Sequence, residues 1–321
     1  KNYGTIAAES VLKLAELLNA PCTMSPGHGD SLPYGHPLNA GSAGPRGSGI
    51  GTQLLKEADV ILVLGSRLGF NTTFYSYDNL NEDASIIQCE IDQNSIGRYF
   101  PVEVGIHADA KTVADQLFNL LGEHKAKKEV EVWADQFKDN KKNYLKQRDA
   151  EADMSSVPIM PSGLFKELRN VLPNDSVVTL DAGTMCLQLT DALYYHQPKS
   201  LFSPLDFGLV GFSYPAGLGI KLAAPERTVV SFHGDGGASM ILPELSTAVE
   251  NNINTVCVVM NNGTWGAEAA YQKDFFEGRY IGAHITTPEF DKVAELYGCK
   301  GIKVEKTAEI GDVIKAGIES D

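Results

Sequence analysis

The sequence predicts an α/β protein made of two parallel-sheet, doubly wound domains, and three observations predict it. Short apolar runs rich in β-branched residues, at 60–64, 86–91, 177–180, 229–232 and 256–260, have the length and content of buried strands. Segments with apolar residues at helical spacing separate them, the alternation that builds parallel sheets. Two of the runs end in polar and glycine residues where ligands of open α/β sheets bind: Gly234-Asp235-Gly236-Gly237 after one, Asn261-Asn262 after the next.

Taken in order, residues 6–18 are apolar at helical spacing, and Cys22-Thr23-Met24 is a short strand after them. A Gly/Pro/Ser-rich loop fills 26–51, and a helix returns over 51–58. Strands 60–64 and 86–91 follow, and helix 112–121 closes a first domain assigned to 1–122. Residues 123–155 are charge-rich and read as a connector. Within it Trp133, Phe137 and Tyr144 recur at helical spacings, so a helix docks one face there and leaves its charges solvated. The second domain is assigned to 156–321. It opens with Pro161-Ser162-Gly163 capping a helix over 164–172, and strand 177–180 then runs into the turn Asp181-Ala182-Gly183-Thr184-Met185. Strand 229–232, a helix over 242–250 with Pro243 near its first turn, and strand 256–260 form a βαβ unit. Its right-handed crossover sets the two strands parallel and side by side, so Asp235 and Asn262 project from neighbouring carboxyl ends.

The 321 residues have room for two cores, and 43% hydrophobic content describes an ordinary soluble protein. A formal charge of −14 without a basic patch argues against nucleic acid as a partner. No apolar stretch is long enough to span a bilayer, and no basic–apolar signal segment opens the sequence. Cys22, Cys89, Cys186, Cys257 and Cys299 lack metal-type spacing and read as buried thiols in a reducing, cytoplasmic setting.

The paired motifs point to chemistry. A carboxylate oxygen from Asp235, an amide oxygen from Asn262 and a nearby backbone carbonyl suit a hard divalent cation such as Mg²⁺, which completes its octahedron with phosphate and water. Gly234, Gly236 and Gly237 let backbone amides approach phosphate closely. Either motif alone reads equally as a loop turn; in sequence on consecutive strands they read as a metal–diphosphate site.

This pattern resembles the diphosphate-binding signature of thiamine-diphosphate-dependent enzymes. From about Thr5 onward the chain resembles the middle and diphosphate-binding domains of the acetohydroxyacid synthase and sulfoacetaldehyde acetyltransferase group. The resemblance implies thiamine diphosphate and Mg²⁺ as cofactors, with Asp235, Asn262 and the backbone carbonyl of Thr264 on the metal. It implies main-chain contacts to diphosphate from Gly234, Gly236 and Gly237, and a second cradling turn at Gly183, Thr184 and Met185. The segment around Gly208 resembles the one whose bulky apolar residue, here Val210, wedges beneath the thiazolium ring; an ordinary core position is the alternative for that valine. Trp265-Gly266-Ala267-Glu268 resembles sulfoacetaldehyde acetyltransferases and extends the cofactor-contacting set to Trp265 and Gly266. Acetohydroxyacid synthases tend to carry Gly-Met there and a later Trp-Gln, where this chain has Tyr271-Gln272.

Leu64-Gly65-Ser66-Arg67 resembles the family's Gly-x-Arg turn, but Gly69-Phe70-Asn71 departs from the flavin-binding continuation, so FAD is not expected. The resemblance also implies a homodimer or homotetramer. In it the activating glutamate comes from a pyrimidine-binding domain that is not recognisable in this chain, which therefore reads as a piece of a longer polypeptide. The leading expectation is release of sulfite and formation of acetyl phosphate from sulfoacetaldehyde and phosphate, with Lys273 or Arg279 as anion partners. Condensation of two 2-oxoacids is the second reading, and a non-catalytic cofactor-binding or regulatory module the third.

Overall fold

A computed structural model describes residues 4–45, 47–123 and 125–320. One unit holds the residues up to Ala150 together with Tyr194–Lys199, and the other holds Glu151–Leu193 and the residues from Ser200 on.

The first unit contains α1 (Gly4–Leu18), β1 (Cys22–Met24), β2 (Asn39–Ser42), α2 (Gly49–Glu57), β3 (Val60–Leu64), α3 (Phe70–Thr73), β4 (Ser85–Glu90), β5 (Val104–His107), α4 (Ala110–Leu121) and α5 (Lys128–Ala150). Strands β3, β4 and β5 pair in parallel in that order, and β1 pairs in parallel with β2. Ile61, Val63 and Ile86 from the sheet meet Leu55, Leu68, Leu80 and Phe100 in the core. Strand β2 sits inside the long loop read from the sequence. Its Asn-Ala-Gly-Ser stretch has no apolar run, and it is held instead by Asn39, whose amide donates to the carbonyls of Leu32 and Pro33 while its Oδ1 accepts from the Gly41 amide.

Helix α5 is a single 23-residue helix that docks the face anticipated for it. Phe137 packs with Ala40 and Leu54, flanked by Trp133 and Ile50. On the same face Lys141 Nζ donates to the carbonyls of Tyr34 (3.1 Å) and His36 (2.8 Å) and lies over the Tyr34 ring. Burial pushes this ammonium down from its ordinary 10.5 to about 8. Between those values the unfolded chain binds the proton and the folded one releases it, so stability rises with pH across the window and is flat below it. Relative to Lys141→Met, the wild type should therefore gain about 1–2 kcal/mol between pH 8 and 10.5, after discounting for solvent screening of a partly exposed charge. Urea midpoints of both proteins measured across that range check this; a constant difference contradicts it.

The second unit contains α6 (Pro161–Val171), β6 (Val177–Leu180), α7 (Thr184–Ala192), β7 (Leu201–Phe202), α8 (Ser213–Ala223), β8 (Val229–Gly234), α9 (Asp235–Met240), α10 (Glu244–Glu250), β9 (Val256–Met260), α11 (Gly266–Phe275), α12 (Phe290–Leu296) and α13 (Thr307–Ile318). Its sheet runs β7–β6–β8–β9, all parallel. Residues Val230 to Gly234 pair in register with Val256 to Met260, the arrangement expected of the βαβ unit. The crossover differs in one respect: Asp235 opens a short helix of its own before Pro243 starts α10. Central strand β8 buries Val229, Val230, Ser231, Phe232 and His233. Its Ser231 joins Thr179 of β6 and Ser213 of α8 in a buried hydroxyl network, with Thr179 Oγ1 at 2.7 Å from Ser231 and 2.9 Å from Ser213. A methyl at Gly217 would stand 2.3 Å from the Ser231 hydroxyl, so glycine there lets α8 lie close on the sheet.

Cys22, Cys89, Cys257 and Cys299 are free thiols, and burial pushes Cys22 and Cys257 up to about 12; the Cys186 side chain lies outside the described set. No helix among the described residues is long and apolar enough to cross a membrane.

Candidate functional site

The carboxyl ends of β8 and β9 bring Asp235 and Asn262 together through the backbone. Asp235 Oδ2 accepts from three successive amides, those of Asn262 (3.2 Å), Gly263 (2.6 Å) and Thr264 (3.2 Å). Its Oδ1 accepts from the Gly236 amide at 2.9 Å, and the residue is buried. Asn262 Oδ1 accepts from the Thr264 amide at 3.0 Å. A carboxylate or amide oxygen has two lone pairs, so Asp235 Oδ1 and Asn262 Oδ1 each keep one acceptor direction open. Thr264 faces His284 in an isolated antiparallel bridge in which Gly263 accepts from Ile285 and Trp265 donates to Ala283. The Thr264 carbonyl takes no part in that ladder. Three neutral or anionic oxygens of hard character are therefore gathered on one loop, a donor set that fits Mg²⁺. No group of three or more His, Cys, Asp or Glu side chains that could hold a metal occurs among the described residues.

The glycines divide into two kinds. A Cβ on Gly183, Gly208 or Gly234 would meet nothing within 4 Å, so these positions border open space. Gly183 (φ +124°) and Gly208 (φ +75°) also adopt backbone conformations that favour glycine. Gly236 and Gly237 are instead tightly covered: a Cβ on Gly236 would lie 2.6 Å from the Trp265 ring, and one on Gly237 would lie 2.0 Å from Asp181 Oδ2. The indole of Trp265 thus packs on the turn after Asp235. Gly183 caps α7, placing Thr184 and Met185 in its first turn, and the Thr184 hydroxyl lies 3.7 Å from where a Gly266 Cβ would be. The starts of α7 and α11 adjoin. Val210 is half-buried in the loop before α8, next to the exposed side chains of Phe207 and Leu209. Lys273 and Arg279 are exposed, and Arg279 Nε donates to the Phe276 carbonyl.

Two residues escaped the sequence reading. Asp181, fully buried at the end of β6, accepts from the amides of Gly211 (3.0 Å) and Phe212 (2.8 Å). His233, fully buried one residue before Gly234, accepts from the Tyr214 amide at Nε2 (2.8 Å). Its proton then sits on Nδ1, which faces Asp181 Oδ2 at 3.2 Å. Burial pushes the Asp181 carboxyl up, but the His233 imidazole and the two amides outweigh it and hold the group below the ordinary carboxylate value. The available signal was position: Asp181 ends its strand as Asp235 follows β8.

Comparisons with known proteins cover both units. Residues 181–321 match the family described as thiamine pyrophosphate enzyme, C-terminal TPP binding domain, and residues 3–117 match thiamine pyrophosphate enzyme, central domain. The chain is 31% identical to a sulfoacetaldehyde acetyltransferase of Castellaniella defragrans, over 98% of this chain and 56% of that protein. A sulfoacetaldehyde acetyltransferase of Alcaligenes xylosoxydans xylosoxydans is 30% identical over the same shares. A probable acetolactate synthase large subunit of Methanococcus aeolicus is 31% identical over 98% of this chain and 54% of that protein. The chain spans about half the length of the curated relatives it matches.

Proposed function

Because this chain belongs to the thiamine pyrophosphate enzyme family, we propose that it anchors Mg²⁺ and thiamine diphosphate in an acetyl-transferring enzyme. The observation that carries this reading is the convergence of the Asn262, Gly263 and Thr264 amides on Asp235 Oδ2, which leaves Asp235 Oδ1 and Asn262 Oδ1 each with an open acceptor direction. In this reading Asp235, Asn262 and the Thr264 carbonyl hold the metal. The open backbone at Gly183, Gly208 and Gly234 admits the diphosphate, and Thr184, Met185 and Gly266 border it. Gly236, Gly237 and Trp265 keep the turn in shape, and Val210 supplies an aliphatic support that offers the cofactor ring no competing polar contact. When bound, thiamine diphosphate supplies a carbon nucleophile for carbonyl addition and a sink for the resulting electron pair. No FAD is assigned. The activating glutamate is assigned to a pyrimidine-binding domain, and the enzyme to a homodimer or homotetramer. The exposed aromatic cluster of Tyr271, Phe275 and Phe276 on and beside α11 supports a partner surface there.

For the reaction we favour sulfoacetaldehyde and phosphate going to acetyl phosphate and sulfite. The Trp265-to-Glu268 tetrad and the relatives named for that activity support it. Acetolactate formation is the second reading, supported by the equal identity to the Methanococcus aeolicus protein. The holoenzyme given sulfoacetaldehyde and phosphate should release sulfite, with pyruvate at least about tenfold poorer by kcat/KM, because a site matched to a fixed sulfonate charge leaves polar groups unpaired with another substrate. A thiol-exchange dye follows the sulfite. Efficient acetolactate formation without sulfite rejects the assignment.

A further inference from the structure

Helix α8 begins without a side-chain cap from its own N-terminal residue, Phe212, yet the amides around its start are not left bare. Asp181 accepts from Gly211 and Phe212, and His233 accepts from Tyr214. Two side chains from adjacent strands, β6 and β8, thus build a composite cap, and the Asp181 charge also suits the positive end of the helix. The same Asp181 Oδ2 lies against Gly237, leaving no room for a side chain there. On its other side, a Cβ at Gly211 would stand 3.2 Å from Ile241, just after α9. The loop holding Val210 is therefore tied to the turn after Asp235 through one buried carboxylate.

We propose that Asp181 is a positioning residue: with His233 it fixes the 208–212 loop, and so Val210, against the Gly236–Gly237 turn. The role rests on the cofactor reading above only for what Val210 supports. An exposed glycine-containing loop would otherwise sample many conformations, and two charge-assisted hydrogen bonds in a site shielded from water remove most of that freedom. Asp181 itself touches no reacting group in this arrangement.

Hydrogen exchange tests the proposal directly on the chain. In the wild type the Gly211 and Phe212 amides should exchange at least about a hundredfold slower than unstructured amides. Asp181→Asn keeps the shape but offers one acceptor oxygen where there were two, and turns an NH₂ group toward a second donor. Exchange at these two amides should accelerate tenfold or more while β6 and β8 stay protected. Unprotected amides in the wild type overturn the proposal even if the variant does not fold. So does an unchanged rate in the variant, or a uniform acceleration through the whole unit. In the holoenzyme, Asp181→Asn should lower kcat about thirtyfold or more while the half-saturating thiamine diphosphate concentration moves less than threefold; equal losses in both overturn the positioning role. Failure of the wild type to bind thiamine diphosphate would instead reject the cofactor reading, and the exchange rates would still decide how the loop is held.

Discussion

Asp235→Ala should abolish the joint stabilisation of the protein by Mg²⁺ and thiamine diphosphate. A ligand that binds only the folded state at a hundred times its Kd contributes about 2.7 kcal/mol, which for a unit of this size raises Tm by roughly 5–10 °C. The wild type should show that rise and the variant none. Alanine has a second effect without ligand, because four buried or half-buried amides, those of Gly236, Asn262, Gly263 and Thr264, lose their acceptor. Leaving such donors unsatisfied costs about 1–3 kcal/mol each when water cannot replace the partner. Asp235→Asn separates the two effects, since it retains an oxygen for the loop amides but loses the charge that binds the metal. Thermal melts of all three proteins with and without cofactor give the answer. An unchanged cofactor-induced rise in the alanine variant would remove Asp235 from the site.

Gly237→Ala should be nearly as damaging, although it adds only one methyl group. The methyl would stand 2.0 Å from Asp181 Oδ2, a separation no real contact tolerates. The neighbour that must yield is a fully buried carboxylate already bound to two amides and facing an imidazole. Overpacking of this kind costs about 1–3 kcal/mol, and the strained hydrogen bonds should place this case near the top of that range. Urea unfolding of the second unit measures it. A loss below about 0.5 kcal/mol, the scatter of ordinary surface changes, would show that the contact relaxes freely.

The strands that position the motif were legible because burial on both faces demands continuous apolar, β-branched runs. Val256–Met260 and Val177–Leu180 stand where periodicity placed them. Strands β2 and β7 were not legible, for different reasons. Asn39–Ser42 is ordered by an asparagine side chain acting on its own loop, and Leu201–Phe202 is only two residues long. Strand β5 carries glycine and histidine and shows no apolar run either. Helix α8 was hidden by Pro215, Gly217 and Gly219, residues that weaken a helix in isolation. Here Pro215 falls in the first turn, where its missing N–H costs nothing, and the glycines permit close packing on β6 and β8. Of the site, the juxtaposition of Asp235 with Asn262 followed from strand order alone. The Asp181–His233 pair did not, because it depends on residues 52 positions apart meeting across a sheet, and no local pattern encodes that distance.

The central claim is a diphosphate site that needs a divalent cation, and calorimetric titration of the protein with thiamine diphosphate tests it most directly. With Mg²⁺ present, binding should be saturable at one site per chain; after removal of divalent cations by EDTA it should weaken at least about a hundredfold, as loss of a bridging ion between carboxylate and phosphate requires. Equal affinity in the two titrations, or no binding in either, would contradict it.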